Sequence, residues 1–140
     1  MGLIFTDIEL LNAGDMYNFR RKQIAQEQVR SVKVNALVDS GAYMLTINQK
    51  VAQELGADEI DENTAILADG SKIRVPVVGP IEVRFQNRRT TVDAVVVPGD
   101  DTTVLLGAIP MEGMDVVIDY ANNRMTVHPD HPNIAVTILK

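Results

Sequence analysis

A chain of 140 residues with 46% hydrophobic content is the size of one domain with a modest core, so a single domain spanning residues 1–140 is expected. A net charge of −6 argues against a general nucleic-acid binder, and the absence of cysteine excludes disulfides and thiolate metal sites and fits a reducing, cytoplasmic setting. No apolar run approaches a membrane span and the start lacks a signal peptide's basic stretch, so no membrane association is expected. Aromatic residues are scarce, which leaves Val, Ile, Leu and Met to fill the core.

In chain order, Leu3 to Leu11 reads as a first strand and Asn12-Ala13-Gly14-Asp15 as a turn. Met16 to Lys33 is polar and locally basic; a hairpin excursion and a helical turn both fit it, and its charges are expected to form a solvated surface. Val32 to Val38 alternates as a strand, and Met44 to Ile47 resumes one after a turn. Asn48 can cap a short helix over Gln49 to Leu55, with Val51 and Leu55 on one face and Gly56 at its end. Thr64 to Leu67 and Lys72 to Val77 are the arms of a hairpin tipped by Ala68-Asp69-Gly70-Ser71. Ile81 to Phe85 and Thr90 to Val97 form another pair around Asn87-Arg88-Arg89. Val104-Leu105-Leu106-Gly107 is a short buried strand, followed by a helix from Pro110 to Met114. Asp115 to Asp119 and Arg124 to Val127 bracket a turn, and the tail from Asn133 to Lys140 alternates as a terminal strand with no partner left in sequence. Short strands with turn punctuation indicate an all-β fold, a small barrel or sandwich, with one or two short helices.

The most informative stretch is Val34 to Ala42, V-N-A-L-V-D-S-G-A. The strand delivers Asp39 to its C-terminal end, where a carboxylate is costly to bury unless its oxygens receive hydrogen bonds. Ser40 offers a hydroxyl, and the amides of Gly41 and Ala42 can turn back toward the acid. Asp-Ser-Gly is also an ordinary turn tripeptide, so these residues alone leave a functional carboxylate and a plain turn both open. Competing constellations are weak. His128-Pro129-Asp130-His131-Pro132 has too few ligands for a metal and reads as a surface linker, and Gly99-Asp100-Asp101-Thr102 lacks calcium-loop spacing and reads as a solvated turn. No metal or cofactor is expected.

Asp39-Ser40-Gly41-Ala42 after an apolar strand, the hairpin tip Ala68-Asp69-Gly70, and Leu105-Leu106-Gly107 before a short helix occur in an order that resembles the retropepsin-like aspartic proteases. Asn12 to Asp15, Ala36 to Ala42 and Leu105 to Asp115 look like the stand-alone bacterial members labelled clan AA aspartic proteases. The resemblance implies a small closed β-barrel that works as a homodimer on a peptide or protein substrate. It implies a catalytic set of Asp39, Ser40 and Gly41, with the Ser40 hydroxyl bracing the two active-site loops against each other. It places Ala42 against substrate and Ala68, Asp69, Gly70 and Ser71 in a flap that closes over it, with Leu106 and Gly107 packed beneath the catalytic loop. The basic excursion and the single glycine at the flap tip depart from the compact retroviral pattern.

Peptide hydrolysis by carboxylates needs one acid and one base, and this chain has one Asp-Ser/Thr-Gly. Two copies meeting at a twofold axis would each contribute Asp39 to an aspartic endopeptidase. A non-catalytic dimeric β-barrel holding a peptide or protein partner in the same groove is the alternative.

Overall fold

The alternation of Ser31–Val38 sets one strand with a partner on each side, and the molecule closes around it. In the computed structural model, which describes residues 2–99 and 103–139, β1 (Phe5–Asn12) runs antiparallel to β2 (Ser31–Val38), from Phe5 opposite Leu37 to Leu11 opposite Ser31. Between them lie α1 (Ala13–Arg20) and a 3-10 turn at Gln26–Gln28. Then follow β3 (Leu45–Asn48), α2 (Gln49–Leu55), β4 (Asp58–Ile66), β5 (Lys72–Phe85), β6 (Arg88–Val97), β7 (Leu105–Leu106) and α3 (Ala108–Met114). A separate hairpin of β8 (Val116–Asp119) and β9 (Arg124–Val127) ends the regular structure.

The pairings return on themselves. β1, β2, β7, β3, β6 and β5 follow one another, and β5 pairs again with β1 from Glu9 opposite Arg84 to Asn12 opposite Ile81. β4 hangs outside this circuit, bonded to β5. Inside pack Ile8, Leu10, Ala36, Leu45, Ile47, Ile81, Val83, Ala94, Val96 and Leu106, closed by Val51 and Leu55 of α2 and Met111 and Met114 of α3. Phe85 is the one aromatic ring among them, as the composition leads one to expect. Each fully buried Leu or Ile contributes about 1.5–3 kcal/mol to stability.

Several local expectations hold, and others are corrected. α2 starts where Asn48 Oδ1 accepts the Val51 amide at 2.9 Å and ends at Gly56, whose φ of 59° is the left-handed conformation glycine tolerates. Asn12 to Asp15 is not a turn. Asn12 caps α1 by accepting the Asp15 amide at 3.0 Å and also donates to the Leu55 carbonyl at 2.9 Å, since the residues that favour turns also favour helix starts. The described residues therefore hold three short α-helices rather than one or two. Lys72–Phe85 is a single strand: the register slips between Val78 and Ile81, and Pro80 sits in that bulge, where its missing N–H breaks no ladder bond. The basic segment is not wholly solvated, because Arg30 pairs with Asp15 through 2.8 Å and 3.0 Å bonds and Arg20 pairs with Glu82. The Arg30 hydrogen bonds hold the Asp15 carboxyl below its ordinary range against the opposing effect of partial burial. The expected terminal strand is absent: described residues 133–139 carry no ladder pairing, with bends at Asn133 and Ile134, because alternation alone cannot make a strand without a partner. The turn reading at Gly99 to Thr102 rests on residues 100–102, which lie outside the described residues, as does Lys140. Among the described residues no helix is long and apolar enough to cross a membrane, and no three His, Cys, Asp or Glu gather as a metal site.

Candidate active site

β2 ends at Val38 because β7 stops pairing there: Leu37 lies opposite Leu105 and Val38 opposite Leu106 in parallel register. The next residue, Asp39, donates its backbone N–H to the Leu106 carbonyl at 3.0 Å, while its own carbonyl accepts the Ala42 amide at 3.2 Å and closes a turn. Its half-buried carboxylate accepts the Gly41 amide at 2.9 Å through Oδ1. The acid is thus fixed at both backbone and side chain. Ser40 and Gly41 are exposed on the same loop, and among the described residues the Ser40 hydroxyl has no hydrogen-bond partner.

The loop is tied to the segment after β7. The Ala42 carbonyl accepts the Ala108 amide at 2.8 Å, and the Tyr43 carbonyl accepts the Ile109 amide at 2.9 Å. These bonds bring the backbones so close at Gly107 that a Cβ there would lie 2.7 Å from the Tyr43 carbonyl carbon and closer still to the Met44 oxygen. Leu106 and Gly107 therefore pack against the segment from Asp39 to Met44. Gly107→Ala is expected to push the two segments apart and to destabilise the fold by about 1–3 kcal/mol, read as a lower denaturant midpoint. An unchanged midpoint would show that the loop can shift at no cost.

Ala68 to Ser71 forms the tip of the β4–β5 hairpin. The Leu67 N–H donates to the Ser71 carbonyl at 2.8 Å, Gly70 has a φ of 85°, and Asp69 Oδ1 accepts both the amide and the hydroxyl of Ser71 at 2.9 Å and 2.6 Å. The Ser71 hydroxyl and amide hold the Asp69 carboxyl below its ordinary range. Among the described residues no hydrogen bond joins this tip to the Asp39 loop. The link between hairpin and loop lies lower down, where Asn63 Nδ2 donates to Met44 Sδ at 3.7 Å. Tyr43, Ile109 and Asn63 thus border the site, and sequence reasoning did not single them out. Their signal is positional only: Tyr43 directly follows Ala42, Asn63 directly precedes the Thr64 arm of the hairpin, and Ile109 lies two residues after Gly107.

A second cluster fixes the chain's C-terminal segment. Arg88, whose side chain is 1% exposed, donates to the His131 carbonyl, and Asp115 Oδ2 accepts the Val136 amide at 3.0 Å and lies 2.8 Å from His131 Nδ1. The Val136 amide and the His131 ring hold the Asp115 carboxyl below its ordinary range. The histidine-rich linker is therefore an anchor point, with the two imidazoles stacked at 4.3 Å.

Comparison with known proteins agrees with this arrangement. No curated protein matches the chain in sequence. Among solved structures, the retroviral protease-like domain of Ddi1 from Leishmania major superposes with a TM-score of 0.59, covering 92% of this chain and 90% of that one at 16% identity, which shows a shared fold. Residues 25–110, which include the Asp39 loop, the hairpin and Leu105–Gly107, match the family described as "gag-polyprotein putative aspartyl protease". The chain belongs to that family, the retropepsin-like aspartic proteases.

Proposed function

We propose that the protein is an aspartic endopeptidase that acts as a homodimer, with a water held between two Asp39 carboxyls, one from each protomer. The observation that carries this reading is the Asp39 loop: a carboxylate fixed by the Gly41 amide and pinned by backbone to Leu106, at the end of a strand and open on one side. One carboxylate takes a proton from water as its oxygen attacks the scissile carbonyl carbon. The neutral partner gives its proton to the carbonyl oxygen, and collapse of the tetrahedral diol expels the amine with a proton. Ser40, whose hydroxyl has no hydrogen-bond partner among the described residues, would brace the opposite loop. Ala42 and the flap residues Ala68 to Ser71 would line the peptide. The closed circuit of strand pairings supports reading the core as a small β-barrel.

The tail supports the dimer. Ile134, Ile138 and Leu139 are 76%, 88% and 86% exposed, a run of apolar side chains on a segment without regular structure. Anchored by Asp115 and Arg88, this segment would pair with its counterpart from a second copy. Removing residues 133–140 is expected to turn a dimer into monomers in sedimentation while leaving the circular dichroism of the core in place. A truncated protein that still sediments as a dimer would move the interface elsewhere.

The deciding experiment for the activity is digestion of a peptide library across acidic to neutral pH, with a statine-type peptide whose hydroxyl mimics the tetrahedral intermediate. Cleavage that this inhibitor blocks supports the endopeptidase. Peptide binding without cleavage, unaffected by the hydroxyl, would replace it with the non-catalytic binding module.

A further inference from the structure

Glu82 lies on β5 between the core residues Ile81 and Val83 and so points away from the core, yet its side chain is only 1% exposed because α1 packs over that face. Three guanidinium groups converge on it: Arg20 from the last turn of α1 at 2.9 Å, Arg84 from β5 at 2.7 Å and Arg89 from β6 at 3.4 Å. One carboxylate balances one of these charges. That leaves a surplus of two positive charges over Arg20, Arg84 and Arg89, whose side chains are 50%, 39% and 57% exposed.

The register extends the patch. Lys33, Glu9, Arg84 and Arg89 stand in one row across β2, β1, β5 and β6, so their side chains share a face. An open groove of about 660 Å³ runs beside this row, lined by the acids Asp7 and Glu9 as well as by Lys33, Asn35, Arg84 and Gln86. Four cations, Arg20, Lys33, Arg84 and Arg89, therefore face three carboxylates here, Asp7, Glu9 and Glu82, on a chain whose overall charge is −6. Holding a buried carboxylate requires fewer guanidiniums than converge on this one. The surplus is also ordered in advance: Glu82 fixes three partly exposed heads, so an incoming oxyanion meets donors that lose little further freedom.

We propose that this face is a docking site for an acidic peptide segment of a protein partner, taken through its side-chain carboxylates by Arg20, Arg84 and Arg89. Four strands span roughly 15 Å at their usual spacing, which matches about four to five residues of extended peptide. A long nucleic-acid backbone would instead run past the patch onto a surface of its own sign. The site is independent of Asp39 and of whether the protein cleaves peptides.

The test is fluorescence anisotropy with a labelled hexaglutamate peptide, beside hexalysine and a single-stranded oligonucleotide of equal length. Wild type is expected to bind hexaglutamate in a salt-sensitive way and to ignore hexalysine. The double variant Arg20→Gln with Arg89→Gln should weaken binding roughly tenfold or more, while Arg124→Gln, on the β8–β9 hairpin, should leave it unchanged. Because the double variant also takes partners from Glu82, the same peptide is titrated into wild type while guanidinium Nε–H resonances are followed by NMR. Shifts at Arg20, Arg84 and Arg89 support the site. Shifts confined to other arginines, no binding at low salt, or tighter binding of the oligonucleotide would each overturn it.

Discussion

Asp39→Asn is expected to reduce kcat/KM by about 10³-fold or more while leaving the fold and the dimer intact. The amide keeps nearly the same volume and can still accept the Gly41 N–H through its oxygen, so the loop has no reason to move. What it loses is the ionisable oxygen, and in a symmetric dimer it loses both at once. Mixing sharpens the prediction. When equal amounts of wild type and variant exchange subunits, about a quarter of the dimers carry two carboxyls, so activity should fall to about a quarter; a catalyst complete within one chain would keep about half. A variant that cleaves as fast as wild type would place the chemistry elsewhere.

The parts of the fold that were legible share a physical basis: a signal carried by neighbouring residues. Asn48 and Gly56 mark both ends of α2, and the alternation into Asp39-Ser40-Gly41 marks a strand and its exit. What was not legible depends on distant partners. α1 buries only Met16, so no apolar stripe announces it. The first half of β4, Asp58-Glu59-Ile60-Asp61-Glu62, looks like a solvated run because it is an exposed edge strand, where charge discourages further pairing. β5 continues through Gly79-Pro80 because β6 and β4 flank it, which its own sequence does not state. For the site, Asp39 and the ties to Leu106 and Gly107 could be anticipated, whereas Tyr43, Ile109 and Asn63 became neighbours only once β7 and β4 were in place.

Glu82 is the strongest case of that kind, and it leads to the second large effect. Ile81-Glu82-Val83-Arg84-Phe85 alternates as a strand with polar residues facing water, but α1 removes the water from Glu82. Burial alone would raise its affinity for a proton; the hydrogen bonds and charges of Arg84 and Arg89 outweigh it, and the carboxyl sits below its ordinary range. The sign follows. With the folded value below the unfolded one, this group's contribution is fully present above about pH 4.5 and is lost as pH falls through the lowered folded value. Arg84→Met keeps the aliphatic stem but removes the 2.7 Å partner of Glu82 Oε2, leaving that oxygen buried without a donor. The loss should be about 2–4 kcal/mol at neutral pH, a fall in Tm of roughly 5–15 °C. Without Arg84 the carboxyl loses part of what holds it below its ordinary range, so the variant's deficit relative to wild type is greatest at neutral pH and narrows on acidification, as Glu82 takes up a proton. Thermal melts of wild type and Arg84→Met from pH 7 down to pH 4 read this directly. A deficit that stays constant or widens on acidification would mean that packing of the arginine stem, and not its charge, is what Glu82 and the fold depend on at this position.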